Sequence, residues 1–155
     1  MTTDRPNVAV IGSGYWGKNL VRNFAALGAL RLICDTNETL LEGFRAQYPG
    51  VETCLALSEV LRRDDVSGVV VATPAETHAA VAREALAAGK HVFVEKPLAL
   101  AESEAAALGR QADAAGLTLM VGHLLQYHPV FIRLKELVRA GELGRIDYIY
   151  SNRLN

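Results

Sequence analysis

Three glycines, a carboxylate and a lysine are the residues whose types and spacing could do chemistry here. In VAVIGSGYWGKNL, residues 8–20, an apolar run breaks on Gly12, Gly14 and Gly17 and then turns polar and helical. A turn of this kind suits a pyrophosphate. Gly12 allows the tight bend, Gly14 removes a side chain from the path of the phosphates, and Gly17 lets the helix pack closely on the strand. Phosphate charge would then rest on free N–H groups at the positive end of the helix. Tyr15 and Trp16 lie in the same turn and join the candidate cofactor-binding set. Asp35 follows Gly17 by eighteen positions, at the end of a second apolar run, where a carboxylate accepts both ribose hydroxyls of an adenosine. The same charge repels a 2′-phosphate, and Arg31 precedes Asp35 rather than following it, which favours NAD over NADP. The plain structural alternative is a packing turn plus a helix-capping Asp. Lys96 closes a third apolar run, where an ammonium can stabilise a developing alkoxide or lower a hydroxyl's pKa. Its plain alternative is an exposed lysine, or one paired to Glu95.

These residues need elements to hold them. Short β-branched runs at 7–11, 30–34, 68–72, 91–94 and 117–121, with a weak one near 51–54, alternate with helical patterns at about 15–27, 37–47, 57–63, 76–89, 101–115 and 128–140. Continuous apolar strands separated by helices predict an α/β fold: a doubly wound parallel sheet covered on both faces. Gly28, Gly89 and Gly116 sit where helices should stop, and Ser58 is placed to cap the helix at 57–63. His91 reads as a structural residue at a strand start.

Composition excludes several classes of function. Sixteen Lys and Arg are scattered among seventeen Asp and Glu, for a net charge of −1, so no face is built for nucleic acid. No apolar run reaches the roughly 18 residues a membrane span requires, and MTTDRPN has no leader character, so the expected location is cytoplasmic. Cys34 and Cys54, without CxxC spacing, predict two buried thiols rather than a disulfide framework, and no metal site.

VVVATPAETHAAVAREALAAGKHVFVEKPLAL, residues 69–100, together with the glycine turn, resembles the Gfo/Idh/MocA family of NAD(P)-dependent oxidoreductases. The family's TP-x-x-x-H segment matches Thr73, Pro74 and His78, and its E-K-P segment matches Glu95, Lys96 and Pro97. The resemblance implies that Lys96 lies beside the nicotinamide and hydrogen-bonds the reacting hydroxyl, often with a cis Lys96–Pro97 bond. It places Thr73, Pro74, Glu95 and His78 in the cofactor set, although a packing or capping role for His78 stays open. After the sixth strand the family carries Gly-aromatic-x-x-Arg-aromatic-x-Pro. Gly122, Tyr127 and Pro129 match that pattern, while His123 replaces the aromatic and Gln126 the Arg. With GYWGKNLVRNF, this variant looks like the branch acting on UDP-linked amino sugars, with His123, Tyr127 and His128 as substrate contacts. Tyr127 and His128 can equally start the helix at 128–140.

Family members continue into a second α/β domain that supplies an Asp-x-x-x-His pair. The expected organisation is therefore a dinucleotide-binding domain at 1–141 and the first strand of a second domain at 142–155, where RIDYIYSNRLN alternates apolar and polar residues. A solitary strand with exposed Ile146, Tyr148 and Tyr150 is an association hazard, which predicts a homo-oligomer through residues 145–154. The implied activity is hydride transfer between a sugar or UDP-sugar secondary alcohol and nicotinamide. A dinucleotide-binding module without turnover is the alternative. A methyltransferase would leave Glu95-Lys96-Pro97 unexplained, and the Tyr-x-x-x-Lys pair of short-chain dehydrogenases is absent.

Overall fold

The computed structural model describes residues 6–152. The chain divides into two compact units, 1–122 and 123–155.

In the first unit six parallel strands alternate with five helices. They are β1 (Val8–Ile11), α1 (Gly17–Ala26), β2 (Leu30–Cys34), α2 (Glu38–Gln47), β3 (Glu52–Cys54), α3 (Leu57–Leu61), β4 (Gly68–Val71), α4 (Ala75–Ala87), β5 (His91–Val94), α5 (Glu102–Ala115) and β6 (Leu119–Val121). The strand order is β3-β2-β1-β4-β5-β6. Every pairing is parallel, with Val10 opposite Ile33 on one side and Val70 on the other. The doubly wound fold is as expected.

Alternation along the strands splits the interior into two layers. Ala9, Ile11, Leu32, Cys34, Val69 and Val71 pack with Val60 of α3, Ala82 and Leu86 of α4, and Leu108 of α5. Val10, Ile33 and Val70, one residue out of phase, pack with Val21 of α1 and Leu41 of α2. Each fully buried Val or Leu is worth about 1.5–3 kcal/mol, so these two layers outweigh the rim of exposed ion pairs. Such strands read as unbroken apolar runs because both of their faces are covered.

Gly28, Gly89 and Gly116 end α1, α4 and α5 with positive φ angles of 68°, 75° and 65°, as the sequence predicts. The cap of α3 differs. Its N-cap is Ala56 rather than Ser58: Glu59 Oε1 accepts the Ala56 N–H at 3.3 Å, and the Glu59 N–H reaches the Ala56 carbonyl at 3.0 Å. The glutamate supplies the half of a capping box that satisfies the N-cap amide, and alanine has no side-chain acceptor for the other half.

In the second unit a 3-10 turn, Leu124–Tyr127, leads into α6 (Pro129–Arg139). The strand expected at 145–154 is not formed in its described part, 145–152. A strand is held by hydrogen bonds to a neighbour, and a correct period-2 pattern does not supply one. Tyr148, Ile149 and Tyr150 are each at least 80% exposed there.

Candidate dinucleotide site

The order β3-β2-β1-β4-β5-β6 reverses between β1 and β4, and parallel sheets of this kind open a crevice at the carboxyl ends beside such a reversal. Gly12 follows β1, Thr73 follows β4, and Glu95 and Lys96 follow β5, so the sheet itself gathers three of the candidate segments.

Backbone packing fixes the first segment. Gly12 has φ +85°, and a Cβ there would stand 2.9 Å from Ala72 carbonyl atoms and from Thr73 N. A Cβ on Gly17 would run into the Gly12 carbonyl oxygen. Around Gly14 there is open space, as a turn that must admit a ligand requires. Lys18 N–H is the first to turn back, to the Gly14 carbonyl at 3.1 Å, and the amides ahead of it have no intrahelical partner. Tyr15 is 86% exposed, with Lys18 Nζ 5.3 Å from its ring centre, and Trp16 is the N-cap of α1.

Asp35 is tied directly to this turn. Its Oδ2 accepts from Ser13 N at 2.7 Å and from Ser13 Oγ at 2.8 Å, while its Oδ1 accepts from Asn37 N at 2.9 Å. Burial alone would push the Asp35 carboxyl up, but the bonds from Ser13, Asn37 and the Thr36 amide hold it below the usual carboxylate range. The Ser13 hydroxyl is a rotor that can yield its bond to a ribose hydroxyl. Ser13 is buried, and the glycine spacing alone does not single it out because it simply lies between two glycines. Arg31 lies at the other end of β2, paired with Glu52 at 2.6 Å and Asp65 at 2.9 Å.

The third segment carries the lysine. Lys96 is exposed, and the Lys96–Pro97 bond is cis. Glu95 is buried; its Oε2 accepts Lys96 N–H at 3.3 Å, and its Oε1 has no partner among the described residues. A buried carboxylate oxygen without a donor is costly, and a polar ligand arriving at the end of β5 would satisfy it. Gly122 makes room for this carboxylate, since a Cβ there would stand 3.2 Å from Glu95 Oε1.

His78 packs between two segments, the alternative to a cofactor contact that the sequence leaves open. The ring is buried, with Nδ1 2.7 Å from the Pro97 carbonyl oxygen and Nε2 2.8 Å from that of Thr73. Neither nitrogen is left to face a ligand; instead the ring ties the segment after β4 to the segment after β5. Thr73 Oγ1 accepts from Thr77 Oγ1 at 2.7 Å, while Pro74 is the N-cap of α4. In the second unit, Tyr127 ends the 3-10 turn and is 65% exposed, His123 is exposed, and His128 caps α6, its Nδ1 accepting Val130 N–H at 3.3 Å. His128 thus takes the helix-starting role left open for it. Among the described residues no group of His, Cys, Asp and Glu could hold a metal ion, and no helix is long and apolar enough to cross a membrane.

A glycine turn under a helix N-terminus, a carboxylate after β2 tied to that turn, and a partly unsatisfied carboxylate beside a lysine after β5 define a dinucleotide-binding α/β domain. The residues fit the cofactor. Residues 6–123 match the family model described as "Oxidoreductase family, NAD-binding Rossmann fold", and the chain belongs to the Gfo/Idh/MocA family. It is 32% identical over 146 residues to a 1-carboxy-3-chloro-3,4-dihydroxycyclohexa-1,5-diene dehydrogenase of Comamonas testosteroni, covering 93% of this chain and 37% of that protein. It is 32% identical over 150 residues to a UDP-N-acetylglucosamine 3-dehydrogenase of Acidithiobacillus ferrooxidans, covering 94% of this chain and 44% of that one. The crystal structure of the WlbA dehydrogenase from Bordetella pertussis in complex with NADH and UDP-GlcNAcA superposes with a TM-score of 0.85 at 30% identity, over 94% of this chain and 44% of that chain. This chain thus spans about two-fifths of the length of these relatives.

His78→Leu tests the tie between the two segments. Leaving both carbonyls without the ring is expected to cost about 2 kcal/mol in urea unfolding. An unchanged midpoint would show that the ring holds nothing.

Proposed function

We propose that this chain is the cofactor-binding part of an NAD-dependent oxidoreductase that transfers hydride between a secondary alcohol of a sugar or nucleotide sugar and nicotinamide. The observation that carries this reading is the Asp35 carboxylate, bound to the glycine turn through Ser13, on one side of the strand-order reversal, with Glu95 and Lys96 on the other. The α1 amino end holds the pyrophosphate. Asp35 takes the adenosine ribose, and its charge selects NAD over NADP. Glu95 Oε1 accepts a donor from the nicotinamide half. When bound, the nicotinamide supplies the hydride acceptor or donor. Lys96 donates a hydrogen bond to the reacting hydroxyl, orients it and stabilises the charge that develops on its oxygen.

A sugar or nucleotide-sugar substrate is supported by the UDP-N-acetylglucosamine 3-dehydrogenase and the UDP-GlcNAcA complex among the relatives. His123 and Tyr127 are the substrate contacts we propose beyond Lys96. Residues 1–141 form the cofactor domain in this reading, and 142–155 begin a substrate domain. Free thiols and a nicotinamide cofactor support a cytoplasmic location. The exposed side chains of Ile146, Tyr148 and Tyr150 support self-association through residues 145–154.

Calorimetric titration of the chain with NAD and NADP in parallel tests the cofactor reading. NAD is expected to bind at least about tenfold more tightly than NADP, and Asp35→Ala to erase the preference. Equal affinities would refute the assignment of Asp35. Sedimentation of the chain with and without residues 142–155 tests self-association, which fails if both forms run as the same monomer.

A further inference from the structure

Cys34 and Cys54 are register partners at the carboxyl ends of β2 and β3, and both pack into the same layer of the interior. Neighbouring strands lie about 4.8 Å apart, inside the roughly 4.4–6.8 Å between Cα atoms that a disulfide spans. Both thiols are free, and Cys54 Sγ donates to the Ala56 carbonyl at 3.8 Å. The backbones of the same two residues hold the cofactor site. Gly12 N–H donates to the Cys34 carbonyl at 2.8 Å, and Asp35 N–H to the Cys54 carbonyl at 3.2 Å.

We propose that Cys34 and Cys54 are an oxidisable dithiol, and that closing them into a disulfide displaces Asp35 and the glycine turn and so weakens cofactor binding. The coupling half of this proposal rests on the NAD reading of the site.

The two sulfurs have unequal roles. Cys34 is buried, whereas Cys54 is half-buried and lines an open cavity of about 330 Å³ together with Thr53, Glu59 and Arg62. The neighbouring Cys34 thiol holds the Cys54 thiol below its usual range, while Cys54 and burial push Cys34 up. Cys54 is therefore the sulfur that ionises first and the one a small oxidant reaches. With a hydroperoxide as oxidant, the Cys54 thiolate attacks one oxygen, the O–O bond breaks, and with one proton taken up the products are water and a Cys54 sulfenic acid. The Cys34 sulfur then attacks the Cys54 sulfur as its proton leaves, the S–O bond breaks, and hydroxide departs as a second water. Two thiols lose two electrons and two protons, and hydrogen peroxide becomes two waters.

The test treats the 155-residue chain with hydrogen peroxide. Thiols are counted after denaturation, the intact mass is measured, and NAD is titrated into the reduced, oxidised and dithiothreitol-treated protein. Both thiols are expected to disappear within a monomer whose mass falls by two hydrogens. NAD affinity is expected to fall about tenfold, the loss of one charge-assisted hydrogen bond, and to return on reduction. NAD binding to Cys54→Ser, or to Cys54→Ala should the serine variant not fold, is expected not to respond to peroxide. Sulfinic acid or intermolecular dimers in place of the internal bond would overturn the dithiol. An internal bond with unchanged NAD affinity would overturn the coupling to Asp35. A reduced chain that binds no NAD would defeat the cofactor reading and that coupling together, while thiol count and mass would still judge the dithiol.

Discussion

No side-chain carbon fits where β1 turns into α1. A Cβ at Gly17 would strike the Gly12 carbonyl, and one at Gly12 would strike the backbone between Ala72 and Thr73. Overpacking of this kind cannot be relieved by a rotamer change, because the opposing atoms are backbone. The helix therefore starts hard against the strand, and the carboxyl ends of β1 and β4 close on each other at the point where strand order reverses. An amino terminus aimed at the crevice, the contact from Ser13 to Asp35, and the position of Thr73 all follow from that close approach.

Side chains then stitch the crevice wall together from below. Ser13 gives both of its donors to Asp35, fixing the glycine turn to the end of β2. The buried His78 ring fills the space between the ends of β4 and β5, with the Pro97 carbonyl against Nδ1 and the Thr73 carbonyl against Nε2. These bonds hold the loops that bear Asp35, Thr73 and Lys96 at fixed relative positions, which a ligand touching all three requires. Glu95 is the exception. It is buried with one oxygen unsatisfied, the kind of cost a protein carries where a ligand will complete the bonding.

Much of this was legible in the sequence because the signals are local. Runs such as GVVV at 68–71 and HVFV at 91–94 announce doubly covered strands, and Gly28, Gly89 and Gly116 mark helix ends through a conformation only glycine adopts readily. Residues whose role depends on a distant partner were harder to read. Ser13 looks like filler between glycines until the fold brings Asp35 to it, and His78 looks like a first-turn helix residue until Pro97 arrives on its other side. Cys34 and Cys54 are twenty positions apart and become neighbours only through the β2–β3 register. The tail makes the opposite point: RIDYIY carries a strand's pattern, but no strand forms in its described part.

The central claim is that one crevice, at the carboxyl ends of β2, β1, β4 and β5, receives the cofactor. Amide chemical-shift mapping during an NAD titration of the 155-residue chain tests it residue by residue. The account predicts that the large changes fall on Gly12–Gly17, Asp35, Thr73 and Glu95–Lys96, with α5 and the ion-paired segment around Arg63 undisturbed. Changes confined to other surfaces, with the glycine turn unmoved at saturation, would contradict it.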